Sequence, residues 1–67
     1  MTLHKGDHVT WNTPQGKTNG VTQQRRVQAF EHDGQKFNAS ADDPYWIVKS
    51  DKSGATAAHK ESSLGRE

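Results

Sequence analysis

The side chains of this chain that could do chemistry are few. Four histidines stand at His4, His8, His32 and His59, and two adjacent carboxylates stand at Asp42 and Asp43, just before Pro44. His4 and His8 are four apart, but that spacing joins one face only on a helix, and Gly6 with the extended pattern after it argues against one there. No cysteine is present, so thiolate metal sites and disulfides are excluded. The acidic pair is accounted for by a turn, since Asp accepts local backbone hydrogen bonds. No nucleophile with its base, phosphate loop or metal motif can be assembled, and a chain of 67 residues has little room for a concave pocket. The expectation is a protein that is no enzyme and uses no cofactor or metal.

Binding chemistry is the alternative, and its candidates are aromatic and basic. An aromatic cage holds a methylammonium group by cation–π attraction. Its walls could come only from Trp11, Phe30, Phe37, Tyr45 and Trp46. A thin core claims Trp11 and Trp46 first, because tryptophan is well buried on average. Tyr45, with Trp46, Trp11 and Phe37, makes up the ligand-binding set. Among the bases, Arg25-Arg26 is the one adjacent pair, and on a strand its two side chains point to opposite faces. A basic face drawn from Arg25, Arg26, Lys36 and Lys49, with Tyr45 exposed beside it, would suit a nucleic acid. Dispersed charge more commonly marks a solvated surface. The net charge of +1 and pI near 8.1 permit nucleic acid without arguing for it.

The elements that must position these residues are short. The hydrophobic fraction is 28% and mean hydropathy −1.13, which raises the question of disorder. The low net charge and five aromatic residues answer it in favour of one folded domain with a thin core. Six glycines divide the chain into short stretches with period-two apolar placement, the pattern of a small barrel. The first strand covers Asp7 to Asn12, with Val9 and Trp11 on one face. Asn12 to Gly16 is a turn in which Pro14 presets φ and Gly16 takes φ > 0. The second strand runs from Thr18 to Val27, with Gly20 read as a bulge or bend. A third covers Gln28 to Glu31, an Asp33-Gly34 hairpin turn follows, and the return strand is Lys36 to Ser40. After the Ser40–Pro44 loop, Tyr45 to Ser50 forms a central strand with Trp46 and Val48 on one side and Tyr45 and Ile47 on the other. Ala55 to Lys60 is read as a strand on its length, despite three alanines. A helical turn near Glu61 to Leu64 brings Leu64 onto the barrel end, and Gly65-Arg66-Glu67 is expected to fray.

Aligned in this way, the chain resembles a known family, the hypervirulence-associated tudor domain of bacteria and fungi, of unknown function. The resemblance is carried by Gly6-Asp7-x-Val9-x-Trp11, Gly16 with Gly20-Val21, Gly34, Ala39-Ser40, Asp42-x-Pro44-x-Trp46-x-Val48-x-Ser50-Asp51-Lys52-x-Gly54, Ala57-Ala58-His59-Lys60 and Leu64. It departs at Trp46, where a tyrosine is expected, and over the polar stretch Gln23–Arg26. It implies an all-β fold, a small five-stranded SH3-like, tudor-like barrel with a short C-terminal helical turn, ordered over about 5–64. His59 falls in a matching segment and is expected to have a structural, hydrogen-bonding role. No apolar run reaches a membrane span, and residues 1–7 lack an apolar stretch of leader length. The reading is a bacterial, cytoplasmic module, monomeric by default, with an unknown protein or peptide partner. DNA or RNA is the alternative.

Overall fold

Strand β1, His8–Thr13, alternates as its sequence requires, with Val9 and Trp11 buried between more exposed neighbours. In this computed structural model, which describes residues 3–66, β1 pairs antiparallel with β2, Gly16–Arg26, from His8↔Val21 to Thr13↔Gly16. The turn between them places Gly16 at φ 117°, and Thr13 Oγ1 donates to the Gly16 carbonyl at 2.8 Å. A short hairpin follows, β3 (Phe30–His32) and β4 (Gln35–Phe37). Its loop holds Asp33 at φ 51° and Gly34 at φ 78°. Positive φ at both central residues is the type I′ geometry that Asp-Gly favours, because its twist matches that of the strands. The interior strand β5, Tyr45–Ser50, lies between β2 and β6, Thr56–Lys60. A 3-10 turn at Glu61–Ser63 leads to β7, Gly65–Arg66.

The main sheet has five strands in the order β6-β5-β2-β1-β7. Its outer strands are the last two in sequence, separated only by the 3-10 turn and Leu64. In a flat sheet four spacings of about 4.8 Å would hold those strands about 19 Å apart. A 3-10 turn rises only about 2 Å per residue, so the chain cannot span that gap. The sheet therefore curls toward a barrel. Its interior holds Leu3, Val9, Trp11, Trp46, Val48 and Leu64, with Ala57 against them. Among the described residues no helix is long and apolar enough to cross a membrane.

Several expected boundaries move. The third and return strands shorten to Phe30–His32 and Gln35–Phe37, and this hairpin stands outside the five-stranded sheet. Gly65 and Arg66 do not fray. They pair with Thr10 and Val9 of β1, because buried Leu64 fixes the chain beside that strand. Glu67 of that tail, like Met1 and Thr2 of the opening segment, lies outside the described residues.

Gly20 is not the bulge. It pairs in register with Val9, and the irregularity lies between Thr22 and Gln24. Gly20 is instead a slot for an indole. A Cβ there would meet Trp11 Cη2 at 2.5 Å and Cζ3 at 2.9 Å, and would also collide with the Lys49 carbonyl oxygen. The Gly20→Ala variant is expected to lose about 1–3 kcal/mol through overpacking. Its melting temperature should fall by about 4–8 °C for each kcal/mol. Thermal unfolding followed by tryptophan fluorescence measures this, and an unchanged midpoint would contradict the slot.

Candidate functional site

Strand β2 is longer than its neighbour, and this leaves an opening. Its pairing with β1 ends at His8↔Val21, while its pairing with β5 continues through Gln24↔Ile47, Arg25↔Trp46 and Arg26↔Tyr45. At Thr22 the chain before β1 takes over briefly. The Gly6 N–H donates to the Thr22 carbonyl at 2.9 Å, and the Thr22 N–H donates to the Asp7 carbonyl at 2.9 Å. The Thr22 side chain, 1% exposed, adds two more bonds. Its hydroxyl donates to the His4 carbonyl at 2.6 Å and accepts from the Asp7 N–H at 2.9 Å. Beyond Thr22, among the described residues, no strand pairs with β2 on that side.

The result is a groove of about 760 Å³, a concave pocket that the shortness of the chain argued against and that the difference in strand length opens. One wall is Leu3, His4 and Lys5, the other is Gln23, Gln24 and Arg25, and Trp46 and Ile47 of β5 complete it. Trp46 is 2% exposed, so it backs the groove without offering a free ring. Lys5 and Arg25 are both exposed, and among the described residues no carboxylate lines the groove. The nearby Asp7 carboxylate is engaged, accepting from the His4 backbone N–H at 2.7 Å and standing 3.7 Å from Arg66. The free edge runs on toward Val27, an exposed large hydrophobic residue.

Glu61 holds the Leu3 wall. One oxygen, Oε1, accepts the Leu3 N–H at 3.0 Å and the Trp46 indole N–H at 3.3 Å. The Glu61 N–H in turn donates to the Pro44 carbonyl at 2.9 Å.

The aromatic candidates separate into two places. Trp11 and Trp46 lie in the core. Tyr45 and Phe37 meet outside it, together with Phe30. Ring centroids are 5.5 Å apart for Phe37–Tyr45, 5.8 Å for Phe30–Tyr45 and 5.2 Å for Phe30–Phe37. These are the separations of rings packed on one another, and a cavity of about 290 Å³ opens beside Phe30 and Phe37.

The basic candidates also separate. Arg25 is in register with Trp46 and lines the groove. Arg26 is in register with Tyr45 and sets its guanidinium 5.0 Å from the Phe30 centroid. Lys49 follows Tyr45 and Ile47 on the alternation of β5, on the Arg26 side. Lys36 sits on the hairpin opposite Glu31.

The histidines do not converge. His32 Nε2 is 3.1 Å from Thr56 Oγ1, which ties the hairpin to β6, and His4 Nδ1 is 3.9 Å from Asp7. His8 is exposed. The Ser40–Asp43 loop is a turn, with the Asp43 N–H donating to Ser40 Oγ at 3.1 Å. His59 lies against Trp11, centroids 5.4 Å apart. Partial burial there holds its pKa below the ordinary 6.5.

Of the groove residues, the sequence reading offered only Arg25 and Trp46 as binding candidates and passed over Leu3, His4, Lys5, Gln23, Gln24 and Ile47 in that role. A basic residue beside Gly6 is a weak signal, and Leu3 precedes every strand. The family model for the Hypervirulence associated proteins TUDOR domain matches residues 6–64. No curated protein and no solved structure matches the chain.

Two outcomes follow from these contacts. Glu61→Ala removes the acceptor of a buried indole N–H and should cost about 1–3 kcal/mol, whereas Glu61→Gln keeps an oxygen there and should lose less. Urea titration of both variants checks the order. His59 takes up a proton more readily in the unfolded chain, because its folded pKa lies below 6.5. Its contribution is therefore intact above about pH 6.5 and is lost as pH falls from there through the folded value. An NMR titration of the imidazole with a midpoint at or above 6.5 would refute it.

Proposed function

The chain belongs to the hypervirulence-associated TUDOR-domain family, and we propose that it is a binding module without catalysis that takes an extended peptide segment of a protein partner. The peptide lies in the groove and adds as a strand to the free edge of β2, from Gln23 to Arg26. The observation that supports this most directly is the mismatch in strand length. Central β2 runs past β1, so it offers backbone donors and acceptors where a groove of suitable size is already open. Main-chain hydrogen bonds then supply affinity, and side chains at alternate positions supply specificity.

A free edge is also a hazard, since it can pair with any chain. Here it is short, interrupted by the irregularity at Gln23, and flanked by Arg25 and Arg26. Those devices discourage indiscriminate pairing while leaving the edge open to a matched segment. The dispersal of Arg25, Arg26, Lys36 and Lys49 over two faces and the hairpin favours a peptide over a nucleic acid, which needs its cations on one track.

The test is a selection of displayed random peptides on the intact domain, followed by ¹⁵N–¹H correlation spectra with the best binder. Amides of 3–5 and 23–26 should shift together. N-methylation of a peptide amide that bonds to β2 should weaken binding about fivefold, the worth of one hydrogen bond. Shifts confined to the Phe30–Tyr45 cluster, or indifference to N-methylation, would overturn the strand-addition reading. If a DNA duplex rather than a peptide moves amides around Arg26 and Lys49, the domain is a nucleic-acid binder.

A further inference from the structure

We infer that the groove selects peptides carrying an anionic side chain, a carboxylate or a phosphate, at the position that comes to lie opposite Arg25. This deepens the strand-addition reading and rests on it.

The inference starts from register. Arg25 is paired with Trp46, and Gln24 with Ile47, so the two residues address opposite faces of the sheet. A strand added to the free edge of β2 obeys the same alternation. Every second residue of it faces the side on which Arg25 stands. On that side the groove also carries Leu3, with Lys5 beside it, and Trp46 behind. Directly opposed residues on neighbouring strands have Cβ atoms about 4.5–5.5 Å apart, close enough for opposite charges to stabilise the pair and like charges to oppose it.

The charge of the groove is one-sided. Among the described residues its two permanent cations are Lys5 and Arg25, both exposed, and no carboxylate lines it. Three of the other basic residues have a partner of their own, and Lys17, Lys36, Lys49 and Lys52, which form no ion pair among the described residues, lie outside the groove. Arg26 lies over Phe30, Lys60 Nζ is 3.3 Å from Asp43, and Arg66 is 3.7 Å from Asp7. Arg25 and Lys5 have no such neighbour among the ion pairs of the described residues. An arriving anion meets a guanidinium fork suited to a planar carboxylate or a phosphate. A lysine at the same position meets like charge. The ligand is therefore a segment with an acidic or phosphorylated residue on the side that Arg25 faces, alternating with apolar residues that turn to the other side, where Gln24 and Ile47 line the groove.

The experiment uses four capped peptides that alternate valine with glutamate, phosphoserine, glutamine or lysine, titrated into the intact ¹⁵N-labelled domain. The glutamate and phosphoserine peptides should bind in the groove, and whichever binds tighter assigns the anion as carboxylate or phosphate. Arg25→Ala should weaken that binding about fivefold, at the upper end for an exposed ion pair. Raising salt from about 0.1 M to 1 M should weaken it too, as the Debye length shrinks from about 10 to 3 Å. Arg25→Glu should reverse the preference and accept the lysine peptide. Because Arg25 is exposed, these variants should keep the wild-type amide dispersion.

Equal binding of the glutamine and glutamate peptides at the same amides overturns the anion selection and leaves strand addition standing. Failure of all four peptides, and of every selected peptide, to move amides of 3–5 and 23–26 overturns strand addition itself. A DNA duplex that moves those same amides more strongly than any peptide overturns the assignment to a peptide.

Discussion

The fold depends on one buried indole and the carboxylate that satisfies it. Trp46 is 2% exposed on the interior strand β5, and its N–H is a donor that cannot be left without a partner inside the protein. Glu61 accepts it, and Glu61 stands on the 3-10 turn that joins the two outer strands of the sheet. The same oxygen accepts the Leu3 N–H, and the Glu61 backbone N–H reaches Pro44 at the entrance to β5. One acidic residue thus brings the N-terminal segment, the interior strand β5 and the closing turn to a single point. A chain without disulfides, with a thin apolar content, needs such a point. Its core alone is small, and the closure has to be held by directional bonds as well as by burial.

The groove arises from the same economy. Thr22 is the polar residue fully enclosed by the fold, and its hydroxyl bonds to two backbone groups of the preceding turn. Those bonds pull residues 4–7 against β2 but stop there. The strand continues past them, bulged at Gln23, with its outer edge unpaired. The wall that carries Lys5 is consequently fixed at one end by Thr22 and at the other by Glu61 through Leu3. On the proposed reading, an edge held in this way is preorganised, which would limit the entropy lost when a segment docks.

On the opposite face the β3–β4 hairpin makes a second, smaller apolar centre. Phe30 and Phe37 pack on Tyr45, Arg26 covers Phe30, and His32 reaches Thr56 of β6. This cluster gathers Phe37 and Tyr45 with Phe30, apart from Trp11 and Trp46 in the core. It also separates Arg26 from Arg25 in role as well as direction, one packing on a ring and the other facing the groove.

The sequence by itself determined the strand pattern, the Asp33-Gly34 turn, the inward side of β1 and β5, and the family. Each is local: alternation, positive φ and turn spacing are written in neighbouring residues. The burial of Trp11 and Trp46 was legible because so few large side chains were available. Only the tertiary structure decided the role of Gly20, since the Trp11 ring that needs its empty space comes from the neighbouring strand. It alone paired Gly65 and Arg66 with β1, because that pairing follows from the curl of the whole sheet. It alone joined Leu3 and Lys5 to Gln23 and Arg25, which are about twenty positions apart in the chain. Such a groove depends on where one strand ends relative to its neighbour, and no residue encodes that difference on its own.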